Sequence, residues 1–194
     1  MSRCINMRLA QCWQRRMSQS YQTVSRNPRT YYEFFPSTLV NGPPPSGRFE
    51  IDKHNLHREF LQLQAIAHPD RHSPEFQEHA AHESACINEA YKTLVNPLSR
   101  AQYLLELRNI DFKEDELLKK DIQLLNEVME TQEAIEEAAA HNSASLTKLK
   151  EDNERKIENS LERMGKAFES DDLEIAKSET IRLKFFMNIR SQLD

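Results

Sequence analysis

Glycine is nearly missing from this chain, with 3 in 194 residues, while 29% of the residues are charged. A sequence so poor in the residue that tight turns and sheet corners favour points to a mostly helical protein. Cysteine is equally scarce, at 3, which speaks against a disulfide framework. No apolar run approaches the roughly 20 residues that a membrane-spanning helix needs, so no membrane role is expected. Acidic residues are absent from positions 1–32, which hold six arginines (3, 8, 15, 16, 26 and 29) and no lysine. Subtracting those six charges from the formal net charge of −5 leaves −11 on the remainder. An acidic body of this kind argues against nucleic acid, whose phosphates call for clustered Lys and Arg.

The acid-free segment has Met7, Leu9, Trp13 and Met17 scattered among its arginines. That is the composition of a mitochondrial transit peptide, and it lacks the continuous apolar stretch of a secretory signal. A disordered basic tail is the alternative. A presequence over residues 1–28 and a location in the mitochondrial matrix are expected. Cleavage before Tyr31 would leave Cys86 as the single cysteine.

What is present is organised around His68-Pro69-Asp70. Before it, Leu56, Phe60, Leu63 and Ala67 recur at four-three-four spacing, one helical stripe. Asp52, with Ile51 just before it, is suited to cap that helix. Pro69 disfavours helical angles at His68, so the helix should stop there. A second long helix should start at Ser73 or Pro74, with Ala80, Ile87, Tyr91 and Leu94 on one face. Two antiparallel helices joined by a short polar loop place the tripeptide at an exposed tip, where function tends to sit. Asn96-Pro97 ends the second helix and opens PLSRAQYLLELR, with Ala101, Leu104, Leu105 and Leu107 as packing residues. Upstream, TYYEFFP is too short to be stable alone and must pack its aromatics on something larger. The proline-rich loop at 40–47 cannot be regular structure, and the sequence gives no functional reading of it.

A metal cluster of His68, Asp70 and His72, with His79 and His82 in support, is conceivable by ligand type. Pro69 denies His68 and His72 the one-face geometry of an i,i+4 pair, and no Cys-x-x-Cys exists. No metal site is expected.

The tripeptide between two amphipathic helices resembles the J domain, the module that stimulates the ATPase of heat shock protein 70 chaperones. The resemblance covers Thr30 to Arg108, giving a domain over 30–108. It implies that His68, Pro69 and Asp70 meet the chaperone, with Asp70 a fixed carboxylate able to accept a bidentate pair from a partner Arg. It also implies a basic face, of which Lys53, Arg58 and Arg71 keep a part; Leu61 and Gln62 stand where basic residues are common. No catalysis by this chain is required, since the chemistry would occur in the chaperone's nucleotide site.

The remainder, 113–194, reads as three helices, roughly 113–140, 144–168 and 171–193, broken by His141-Asn142-Ser143, with Ser170 as the expected cap of the last. Short loops imply an antiparallel bundle. The fold expected is therefore all-α: a J domain made of an antiparallel helical hairpin with two short flanking helices, then a three-helix bundle. Apolar residues of the first bundle helix spread over roughly 160°, wider than the core-facing stripe of about 100°, and surplus apolar surface points to a partner. A J domain, an acidic three-helix bundle and a mitochondrial presequence together resemble the HscB/Jac-type cochaperones of iron–sulfur cluster biogenesis. The segments DIQLLNEVMETQEAIEE and RLKFFMN carry that likeness. It implies that Leu124, Leu125, Met129 and Phe185 touch an IscU/Isu-type scaffold protein, with Glu127, Glu130 and Glu133 at the rim. It implies further that the partners are this scaffold and a mitochondrial heat shock protein 70 chaperone, without a cofactor. Cys4 and Cys12 do not match the paired-cysteine zinc domain that some relatives carry. A general J-domain cochaperone for unfolded clients is the alternative, and a metal hydrolase at the His68–His72 loop is third.

Overall fold

The structure, a computed structural model, describes residues 30–71, 73–111, 122–141 and 143–193. Six α-helices occur among them: α1 Lys53–Ala67, α2 Gln77–Val95, α3 Pro97–Leu107, α4 Ile122–His141, α5 Ser143–Glu169 and α6 Leu173–Leu193. Short 3₁₀ turns stand at Tyr31–Phe34 and Pro69–Arg71. No strand occurs among the described residues.

Local chemistry sets most of the boundaries. Asp52 caps α1, its Oδ1 accepting the N–H groups of His54 and Asn55 at 3.0 and 3.1 Å. Those bonds, led by the one from Asn55, hold its carboxyl below the usual range. Asn96 caps α3 by accepting from Leu98 and Ser99, with Pro97 in the first turn. The start of α2 is later than Ser73 or Pro74, because 74–76 form a turn closed by Phe76 N–H to Ser73 O at 2.8 Å. The cap of α6 is Asp172 and not Ser170. Asp172 Oδ1 accepts from Ile175 N–H at 3.2 Å, while Ser170 belongs to the end of α5.

The α1–α2 hairpin is held by side chains at matched heights. Phe60 stacks on Tyr91 with ring centroids 4.1 Å apart. Ser84 Oγ donates to Gln64 Oε1 at 2.8 Å, and Gln64 Nε2 donates to the Ser84 carbonyl at 3.0 Å. Leu56, Ala67, Ile87, Ala90 and Leu94 are buried between the helices. The aromatic 3₁₀ turn packs on this hairpin and on α3, burying Tyr32 and Phe35 and stacking Tyr31 on Tyr103 at 4.3 Å. Leu107, expected among the packing residues, is mostly outside the core at the open end of α3.

One continuous apolar cluster joins these N-terminal helices to the bundle. At the joint, Phe49 stacks on Phe168 of α5, centroids 5.2 Å apart and planes within 5°. The Arg100 guanidinium lies over the Phe49 ring, 4.5 Å from its centroid. Arg100 is itself buried, and burial pulls its pKa down, opposed by the neighbouring Tyr32 and Glu50. Its Nη1 donates to the Leu94 carbonyl at 2.8 Å. The Phe49 N–H donates to Glu169 Oε1 at 3.1 Å.

Two helix ends meet beside this stack. α3 and α5 both finish in left-handed residues, Asn109 at φ 55° and Asp171 at φ 59°, each with the paired carbonyl bonds of a Schellman ending. Arg108 then bridges them, Nη1 bonding Asp171 Oδ1 at 2.9 Å and Nη2 donating to the Pro44 carbonyl at 3.2 Å. The proline-rich loop, without a reading from sequence, is thus fastened to the joint.

Glu59 is a buried acid of the hairpin, and its two oxygens accept the N–H groups of Ser37 and Thr38 at 2.9 and 2.8 Å. This carboxylate ties the loop after the aromatic turn to α1. Glu59→Ala would leave two amides without their acceptor, and a loss of about 2–3 kcal/mol in urea-induced unfolding is expected. A loss under about 0.5 kcal/mol would show that the loop does not depend on it.

Candidate functional site

Two separate surfaces carry the residues singled out from sequence. The first is the tip between α1 and α2. His68 leaves the helix with ψ 126°, as a residue before proline should. Pro69, Asp70 and Arg71 follow as a 3₁₀ turn. The Asp70 N–H donates to His68 Nδ1 at 3.3 Å. An Nδ1 that accepts leaves the ring proton on Nε2. The Asp70 carboxylate stands 3.7 Å from Nδ1, and its side chain is 86% exposed. A carboxylate fixed by its own turn yet open to solvent can take a bidentate guanidinium from outside. Lys53 and Arg58 are exposed on α1, with Arg58 Nη2 donating to Asn55 Oδ1 at 2.9 Å. His72 lies outside the described residues. Among those described, no group of three or more His, Cys, Asp or Glu is placed to hold a metal ion.

The second surface is on α4. Leu125 and Met129 are 38% and 54% exposed, and Ile122, one turn earlier on the same face, is 66% exposed. Spacing of three and four residues puts these three in one row. Leu124 departs from the expectation, being 2% exposed. One residue along a helix is a 100° rotation, which carries Leu124 from the outer row to the inner one with Val128 and Ile135. Phe185 on α6 is partly buried against the core. It is level with the row on α4, since Lys156 of α5 pairs with Glu127 at 2.7 Å and lies 5.7 Å from the Phe186 ring. That ion pair makes Glu127 a strut between helices, whereas Glu130 and Glu133 are exposed.

Ile122 belongs to this outer row although the likeness to relatives did not single it out. Its position three residues before Leu125 is the signal that places it there. The presequence expected at 1–28 and the start of the first bundle helix lie outside the described residues.

Comparison with known proteins places this geometry among relatives. The family model described as the HSCB C-terminal oligomerisation domain matches residues 120–194. The mitochondrial J-type co-chaperone JAC1 of Saccharomyces cerevisiae is 31% identical over 174 residues, covering 87% of this chain and 89% of that protein. The human iron-sulfur cluster co-chaperone protein HscB is 34% identical over 148 residues, covering 75% of this chain; the chain spans 62% of the length of this relative. The crystal structure of human co-chaperone protein HscB superposes with a TM-score of 0.75 at 30% identity, covering 86% of this chain and 82% of that one.

The inner and outer rows of α4 predict opposite responses to truncation. Leu124→Ala should destabilise the chain by about 2–5 kcal/mol, the usual range for a buried leucine, whereas Leu125→Ala should stay within about 1 kcal/mol. Thermal unfolding of the two variants checks this, and equal losses would place both residues in the core.

Proposed function

Because the chain belongs to the HscB/Jac1 family of co-chaperones, we propose that it couples an iron–sulfur cluster scaffold protein to a heat shock protein 70 chaperone. The bundle binds the scaffold. The tripeptide stimulates the ATPase of a mitochondrial DnaK-class chaperone, and scaffold delivery with ATP hydrolysis promotes cluster transfer. The chain is an activator without catalysis of its own, and residues 1–28 direct it to the mitochondrial matrix.

The observation that carries this reading is the outward apolar row Ile122–Leu125–Met129 on a helix that also buries Leu124 and Ile135. A helix needs only one such face for its own core. Covering the outer row in a complex removes apolar area from water at about 25 cal/mol per Å², against the entropy lost on association. Energy of that kind concentrates in a small central cluster, while charges such as those of Glu130 and Glu133 contribute orientation and on-rate. Phe185, half-buried at the same height, forms the edge of the cluster. At the other surface, Asp70 and His68 need only be presented in a fixed turn, which Pro69 provides. Arg71 follows Asp70 in sequence, and Arg58 and Lys53 add positive charge farther back along α1.

Two variants separate the surfaces. His68→Gln should abolish stimulation of chaperone ATPase while scaffold binding stays within twofold or so, because an exposed loop residue contributes little to packing. Replacing Leu125, Met129 and Phe185 together with Ala should weaken scaffold binding by about tenfold or more while scaffold-free stimulation stays near normal. Helical content should hold in both, alanine being a good helix former. A triple variant that binds the scaffold as the parent does would remove the bundle from the contact.

A further inference from the structure

The outward face of α1 has a composition unlike the rest of the chain. Its exposed row runs His54, Arg58, Leu61, Ala65 and then His68, a four-three-four-three spacing that makes one stripe ending at the tripeptide. The only acid in Lys53–Ala67 is Glu59, which is buried and bonded to the Ser37 and Thr38 amides. In a body carrying −11 outside residues 1–32, this is a helix face without a negative charge on it. The face is also divided. Its first half carries Lys53, His54, His57 and Arg58, and its second half, next to the tripeptide, carries Leu61, Gln62 and Ala65 with no charge at all. Leu61 is 53% exposed. Other apolar side chains are exposed as well, among them Val40, Phe76, Leu107 and Ile175, but Leu61 alone of these belongs to the stripe that leads into His68.

We propose that Leu61 is the affinity-determining contact of the chaperone-facing surface, docking into an apolar patch on the heat shock protein 70 partner beside the place where the tripeptide engages. This deepens the reading of the tripeptide given above and rests on it. The division of the face assigns two jobs to it. Arg58 and Lys53, exposed and screened by salt, speed encounter with an acidic partner surface. Leu61, uncharged and two turns from the tripeptide, holds the complex by burial, which salt does not weaken. The partner surface is accordingly acidic opposite the first half of α1 and apolar opposite the second.

The test measures ATPase stimulation of a purified mitochondrial DnaK-class chaperone as a function of the concentration of the full chain, at about 50 and about 300 mM salt. Leu61→Ala should raise the half-saturating concentration about fivefold or more at both salts while reaching the parent's maximal stimulation. Leu61→Met, which keeps the apolar bulk, should behave as the parent. Arg58→Gln should raise the half-saturating concentration at low salt only. His68→Gln, run alongside, should lose the stimulation itself. If Leu61→Ala matches the parent while His68→Gln is inactive, the Leu61 contact is refuted and the tripeptide reading stands. An Ala effect that disappears at high salt would refute it too, since burial would not be its source. If His68→Gln stimulates normally, the tripeptide reading fails and this inference with it.

Discussion

The ring of Phe49 contacts both the Arg100 guanidinium and the Phe168 ring, and the relation between the two ends of the molecule runs through those contacts. Arg100 is buried, which is costly for a charge without partners. Here the charge lies over an aromatic ring and donates to a backbone carbonyl. The same few residues add the Phe49 amide bonded to Glu169 and Arg108 bridging Asp171 and Pro44. Exposed ion pairs alone would hold two helical units only loosely. An aromatic stack buried in one continuous core, with ion pairs at its edge, fixes their orientation.

That orientation gives the two surfaces their meaning. The tripeptide sits at the far tip of α1 and α2, and the apolar row sits on α4 at the outside of the bundle. Each can be covered without uncovering the other, so the two partners proposed above can be held at once. A flexible tether would also bring them together, but only as an effective concentration set by its length. A fixed frame sets the angle between them as well.

Much of this was legible in the sequence because local rules were strong there. Pro69, the Asp52 cap, the Asn96-Pro97 break and the four-three spacing around Leu56 and Ile87 each dictate backbone geometry within a few residues. The misreadings share a different cause. Leu124 and Leu125 are identical in type, and only the position of α5 and α6 decides which of them faces inward. Ser170 and Asp172 are both good caps; the left-handed turn at Asp171, which Asn and Asp tolerate better than most residues, decides between them. The burial of Glu59 and Arg100 has no local signal, since the Ser37 and Thr38 amides that bind one and the Phe49 ring that covers the other lie far along the chain. The proline-rich loop gave no reading for the same reason, its carbonyl partner Arg108 being 64 positions away. Non-local contacts of this kind leave no periodicity to read.

The fixed relation between the two surfaces is best tested by a distance. Spin labels placed at Glu78→Cys on α2 and Glu133→Cys on α4, in a chain whose native cysteines are Ser, report the span between the units by pulsed dipolar spectroscopy. A single narrow distance distribution is expected in the free chain, unchanged in position when scaffold is added. A broad or two-peaked distribution would contradict it, and would make the Phe49 joint a hinge.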